Sequence, residues 1–146
     1  MPDSKVSVRE ASEADLAWCL STDGHLDEAA LLSKIRAREI LLADSDGEPV
    51  GLLRFDLMWS SVPFIAQIRV LETYRRQGVG QALLRAVEER AIGCGSIAVL
   101  SSIALGSDRT AALGWHEAMG FEQFGDVNRM FPGEQTEAFF VKLLER

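Results

Sequence analysis

The sequence is poor in residues that would tie the chain together covalently. Its only cysteines are Cys19 and Cys94, far apart and without metal-ligand spacing, so free thiols in a reducing compartment are expected and a disulfide framework is not. No apolar run approaches membrane-spanning length, and Met1-Pro2-Asp3-Ser4-Lys5 has no apolar signal region, so the expected location is the cytoplasm, with no membrane partner. Basic charge is also short: 15 Lys and Arg against 22 Asp and Glu give a net charge of −7. Nucleic acid and anionic membranes both demand broad basic surface, so neither is expected as a partner, whereas a cationic amine is more comfortable. There is no Walker loop, no His-Glu-x-x-His and no nucleophile elbow, so phosphoryl transfer, zinc hydrolysis and serine hydrolysis lack support, and no metal is expected. Gly93-x-Gly95-x-x-Ala98 has dinucleotide-fingerprint spacing but follows a helix and enters a strand, the reverse of the context that motif needs. Repeats, linkers and low-complexity tracts are absent.

What is present is an ordinary globular composition, 47% hydrophobic and 25% charged, in 146 residues, a length that predicts a single domain over 1–146. The stretch Ile68-Arg69-Val70-Leu71-Glu72-Thr73-Tyr74-Arg75-Arg76-Gln77-Gly78-Val79-Gly80-Gln81-Ala82-Leu83-Leu84 organises it. Before the turn, Phe64, Ala66, Ile68 and Val70 alternate with Ile65, Gln67, Arg69 and Leu71, a strand pattern. After it, Val79, Leu83, Ala86 and Val87 form a helical stripe, with Gln81, Arg85, Glu88 and Glu89 mostly left to solvent. Gly78 and Gly80 remove side chains at the opening turn of that helix, where backbone N–H groups have no intrahelical partner. The helix dipole and the charges of Arg75 and Arg76 make a diphosphate the natural ligand.

The remaining elements read in order. Lys5 to Arg9 alternates as a strand, and Ser12 with Asp15 gives a capping-box-like start to a helix broken at Thr22-Asp23-Gly24. A second helix starts near Asp27 with Leu31, Leu32 and Ile35 on one side. Ile40 to Ala43 and Val50 to Trp59 form a hairpin around Asp46-Gly47, and Ser60-Ser61-Val62-Pro63 turns into the central strand. Gly93-Cys94-Gly95 ends the central helix. Ile97-Ala98-Val99-Leu100 reads as a short strand buried on both faces and parallel to the central one. Ser107 or Asp108 caps a last helix ending at Gly120, and strands from Phe121 to about Val127 and from Glu137 to Leu143 flank a Pro132-Gly133 turn.

Arg75-x-x-Gly78-x-Gly80 between strand and helix resembles the pyrophosphate motif Q/R-x-x-G-x-G/A of the GNAT superfamily of N-acetyltransferases. The element order is similar to that superfamily over essentially the full length, and Trp115-His116-Glu117-Ala118-Met119-Gly120-Phe121 adds a second match, an aromatic pair followed by Gly-Phe. The resemblance implies an α/β (α+β) fold: a mixed, mostly antiparallel central sheet splayed between strands 4 and 5 and flanked by helices. It implies an acetyl-CoA-dependent N-acetyltransferase acting directly on a primary amine of a small-molecule or peptidyl acceptor, as a monomer or homodimer, with the first helical segment bordering the acceptor. It also implies that backbone groups of Ile68, Arg69 and Val70 hold the pantetheine arm, while Arg75, Arg76, Gln77, Gly78, Val79 and Gly80 hold the pyrophosphate.

His116 stands where many members of the superfamily carry a proton-donating Tyr. An imidazolium near pKa 6.5 is at least as competent as a phenol near 10 to protonate a thiolate, so His116 is the candidate general acid; a histidine idle at a helix end, with water as donor, is the other reading. A non-catalytic acyl-CoA-binding module is the alternative function that this substitution leaves open. Asp56 and Glu137 read as solvated or ion-paired carboxylates rather than a base, and His25 as a surface residue. The Asn that members of the superfamily often carry near the start of the last helix is replaced by Ser107-Asp108-Arg109. Trp18, Trp59 and Trp115 are candidates for core or for an acceptor pocket.

Overall fold

A computed structural model describes residues 6–106, 109–130 and 135–145. Seven strands form one sheet in the order β1-β2-β3-β4-β5-β7-β6, mostly antiparallel and flanked by helices: β1 (Val6–Glu10), β2 (Ile40–Ser45), β3 (Glu48–Met58), β4 (Val62–Val70), β5 (Ala98–Ala104), β6 (Glu122–Asn128) and β7 (Thr136–Leu143). The parallel pair is β4 with β5, through Phe64↔Leu100 and Ile65↔Ser101. The helices are α1 (Leu16–Asp23), α2 (Glu28–Arg36), α3 (Val79–Gly93) and α4 (Arg109–Ala118). The expected fold class and element order are thus found. The chain divides into two compact units, Met1–Asp56 with Ala66–Glu89 and Leu57–Ile65 with Arg90–Arg146.

In the first unit the local signals act as the sequence predicts. The Ser12 N–H donates to the Asp15 carboxylate at 2.8 Å, completing a capping box ahead of α1, and Gly24, at φ 77°, ends that helix. Asp27 caps α2 by accepting from the Ala30 N–H at 2.9 Å. The apolar stripe of α2 puts Leu31 and Ile35 into a cluster with Cys19, Ile40, Leu42 and Leu52. Each such side chain contributes about 1.5–3 kcal/mol on burial. Asp46 at φ 52° and Gly47 at φ 83° make the β2–β3 turn. Along α3, Val79, Leu83 and Val87 are buried as the periodicity requires, Leu84 joins them, and Gln81, Arg85 and Glu89 face solvent.

In the second unit three readings change. The turn into β4 is shorter than Ser60–Pro63: Trp59 and Ser60 both take positive φ, the Ser61 N–H donates to the Met58 carbonyl at 3.1 Å, and Val62 is already strand. β5 begins and ends later than the apolar run, because Ser101 and Ser102 continue its ladder with β7. Its burial alternates, with Val99, Ser101 and Ile103 inside and Ile97 left exposed just ahead of the strand, so it is not buried on both faces. Gly95 and Gly120 adopt the left-handed conformation where the two helix ends were expected. The Ser107 or Asp108 cap and the Pro132-Gly133 turn lie outside the described residues.

Candidate active site

The residues expected to hold the cofactor lie together in the first unit. Ile68, Arg69 and Val70 end β4, and the Leu71 N–H then donates to the Val50 carbonyl at 2.9 Å, fixing the strand end to β3. A 3₁₀ turn, Glu72–Tyr74, is held by the Tyr74 N–H on the Leu71 carbonyl at 2.8 Å. Arg76 takes φ 63° and Gly78 φ 81°, and the Gly78 carbonyl accepts from the Ala82 N–H at 3.0 Å, so Gly78 caps α3. Arg76 holds a conformation that costs a non-glycine residue about 1–2 kcal/mol.

Side chains brace the turn from inside. Arg75 Nε donates to the Val70 carbonyl at 3.2 Å and Gln77 Nε2 to the Thr73 carbonyl at 3.0 Å. Arg75 and Arg76 are exposed, and a Cβ placed on Gly78 would meet nothing within 4 Å. These residues are of a kind that suits a pyrophosphate: a helix N-terminus, whose first N–H groups have no intrahelical partner, with open space at Gly78 and two exposed arginines in the same loop. A cleft of about 430 Å³ adjoins, between Trp18, Ser21 and Thr22 of α1 and Arg69, Val70 and Arg75.

The neighbouring loop after α1 is tied to β3 and β4 by a network the sequence did not reveal. Arg54 Nε donates to Asp23 Oδ2 at 2.7 Å with both side chains buried. Burial alone would raise the Asp23 carboxyl, but the Arg54 guanidinium and the His25 and Leu26 amides outweigh it and hold the group below its ordinary value. Gln67 Nε2 donates to the Asp23 carbonyl at 2.9 Å and lies 2.8 Å from His25 Nδ1. The carbonyl fixes the amide orientation, so Gln67 donates to His25 as well, leaving the neutral imidazole proton on Nε2. His25 is exposed, as expected, but not unattached. Asp56 is ion-paired with Lys34, which also bonds Glu39 Oε1 at 2.8 Å.

His116 belongs to the second unit and is 4% exposed, among the rings of Trp115, Phe121 and Phe140 at centroid distances of 4.8–5.1 Å. Its Nδ1 lies 2.7 Å from the Ala112 carbonyl, which can only accept, so Nδ1 carries the proton and Nε2 accepts from the Ser101 hydroxyl at 2.8 Å. Burial pushes the imidazole below its ordinary pKa, against a smaller raising effect of the Ala112 bond. Glu137 accepts from the Ser102 hydroxyl at 2.7 Å. Trp59 is 81% exposed at the β3–β4 turn, Trp18 lines the cleft, and Trp115 stacks on Phe121 at 6.1 Å. Among the described residues no group of three or more His, Cys, Asp or Glu side chains is placed to hold a metal ion, and no helix is long and apolar enough to cross a membrane. Cys19 and Cys94 are free thiols, and burial raises Cys19 to about 11.

Compared with known families, residues 7–121 match the model of the acetyltransferase (GNAT) family, and the chain belongs to that family; it is an acetyl-CoA-dependent acyltransferase. Solved structures share its fold. Ard1 from Thermoplasma volcanium superposes with a TM-score of 0.85 at 18% identity, over 97% of this chain and 99% of that one. The ribosomal-protein-S18-alanine N-acetyltransferase from Escherichia coli does so at 0.79 and 16% identity, over 97% and 95%. The structure of yncA from Salmonella typhimurium with its cofactor acetyl-CoA gives 0.78 at 19% identity, over 98% and 96%. No curated protein matches the sequence.

Proposed function

We propose that this chain transfers the acetyl group of acetyl-CoA directly to a primary amine of a small-molecule or peptidyl acceptor, with 1–146 acting as one domain. The observation that carries this reading is the open, strained turn Arg75–Gly80 at the N-terminus of α3. There the amides of Gly78, Val79 and Gly80 and the charges of Arg75 and Arg76 bind the pyrophosphate, while Gln77 braces the loop. Backbone groups of Ile68, Arg69 and Val70 take the pantetheine arm as an added strand-like segment, and one of their N–H groups polarises the thioester carbonyl. Acetyl-CoA supplies the activated acyl group; the protein supplies position.

In this reading His116 gives the departing thiolate its proton. To do so it must first be protonated at Nε2, releasing the Ser101 hydroxyl and working against its own burial. Water is the competing donor. The protein works in the cytoplasm as a monomer or homodimer, without nucleic acid or membrane. A thiol-release assay over an amine panel of polyamines, aminoglycosides, amino acids and peptide N-termini tests the function: turnover with a primary amine is expected, and release of CoA that no amine accelerates contradicts it.

A further inference from the structure

Between the two glycines that open α3 stands a side chain that does not face a ligand. Val79 is 1% exposed and turned toward β3, where it meets Gly51. A Cβ built on Gly51 would lie 2.8 Å from Val79 Cγ1, 3.2 Å from Leu83 Cδ1 and 3.4 Å from the Arg69 carbonyl. The first of these is closer than real Cβ atoms come, and Val79 is β-branched with little rotamer freedom to retreat. Gly51 is therefore a notch in the strand, and Val79 is the peg that fills it. On the other side of the loop, the residue next to Gly51 holds the strand end, through the Val50 carbonyl and the Leu71 N–H at 2.9 Å.

We infer that Gly51 is a positioning residue for the cofactor: seating Val79 in its notch sets the height of the first turn of α3 over β3, and so where the Gly78–Gly80 amides meet the pyrophosphate. The inference rests on the loop assignment proposed above. A methyl group at Gly51 lifts that turn by several tenths of an ångström while leaving every residue of the Arg75–Gly80 loop unchanged. Because preorganised contacts lose strength steeply with sub-ångström displacement, an effect of about tenfold on binding is expected.

The test is calorimetry with CoA and with pantetheine, which lacks the pyrophosphate, on the wild type, Gly51→Ala, Val79→Ala and the double variant. Gly51→Ala is expected to weaken CoA binding about tenfold and to leave pantetheine binding unchanged, a split that general destabilisation would not produce. The double variant, in which the new methyl fills the space Val79 vacates, is expected to bind CoA more tightly than Gly51→Ala. Unchanged CoA affinity in Gly51→Ala, equal weakening of both ligands, or a double variant no better than Gly51→Ala overturns the inference. Should Gly51→Ala not fold, the double variant is compared with Val79→Ala: tighter CoA binding supports the notch, and equal or weaker binding overturns it. Wild-type protein that binds CoA no better than pantetheine refutes the loop assignment itself, a different failure from a wild type that distinguishes them while Gly51→Ala behaves identically.

Discussion

The Ser101 hydroxyl and His116 Nε2 lie 2.8 Å apart, joining β5 to α4 through a histidine held neutral in the second unit. Burial sets the folded pKa of His116 below the unfolded value of about 6.5. Below that value the unfolded chain binds a proton that the native protein resists. Stability is therefore full above about pH 6.5 and is lost as pH falls from there toward the folded pKa. The urea midpoint of the wild type is expected to drop between pH 7.5 and 5.5, and that of His116→Gln to drop less. Equal slopes in the two proteins would show that His116 is not the titrating group.

The same histidine yields a kinetic prediction. If it passes a proton to the thiolate, His116→Ala lowers kcat by about 10²-fold or more at saturating acetyl-CoA, the usual scale of general acid catalysis. A loss of only a few fold, in a variant shown to be folded, assigns the proton to water and leaves His116 a packing residue of α4.

Arg54 and Asp23 form a buried pair, and deleting one partner strands the other's charge. Arg54→Met is expected to cost about 3–5 kcal/mol in chemical denaturation, far more than the exposed pair Arg36–Glu13, for which about 0–1 kcal/mol is expected. Similar costs for the two pairs would mean that Asp23 is hydrated once Arg54 is gone.

Much of the fold was legible because its signals are local. The Ser12–Asp15 box, the Asp27 cap, the Asp46-Gly47 turn and the Val79–Leu83–Val87 stripe each depend on residues within a turn or two of each other. The end of β5 was not legible: Ser101 and Ser102 are weak strand formers, and what keeps them in the sheet is pairing with Phe140 and Phe139, some 38 residues away. For the same reason nothing in the sequence singled out Ser101 as the partner of His116, or Gln67 as the residue that bonds His25. The loop proposed to hold the cofactor is contiguous, so its residues can be read together from the sequence; contacts built by tertiary placement cannot.

The most direct test of the account is whether Arg75–Gly80 binds the pyrophosphate. Calorimetry should compare acetyl-CoA with acetyl-pantetheine on the wild type and on folded Arg75→Glu. The wild type is expected to prefer acetyl-CoA by about 10²-fold, and Arg75→Glu to lose most of that preference while binding acetyl-pantetheine as before. A preference undiminished in Arg75→Glu would contradict it.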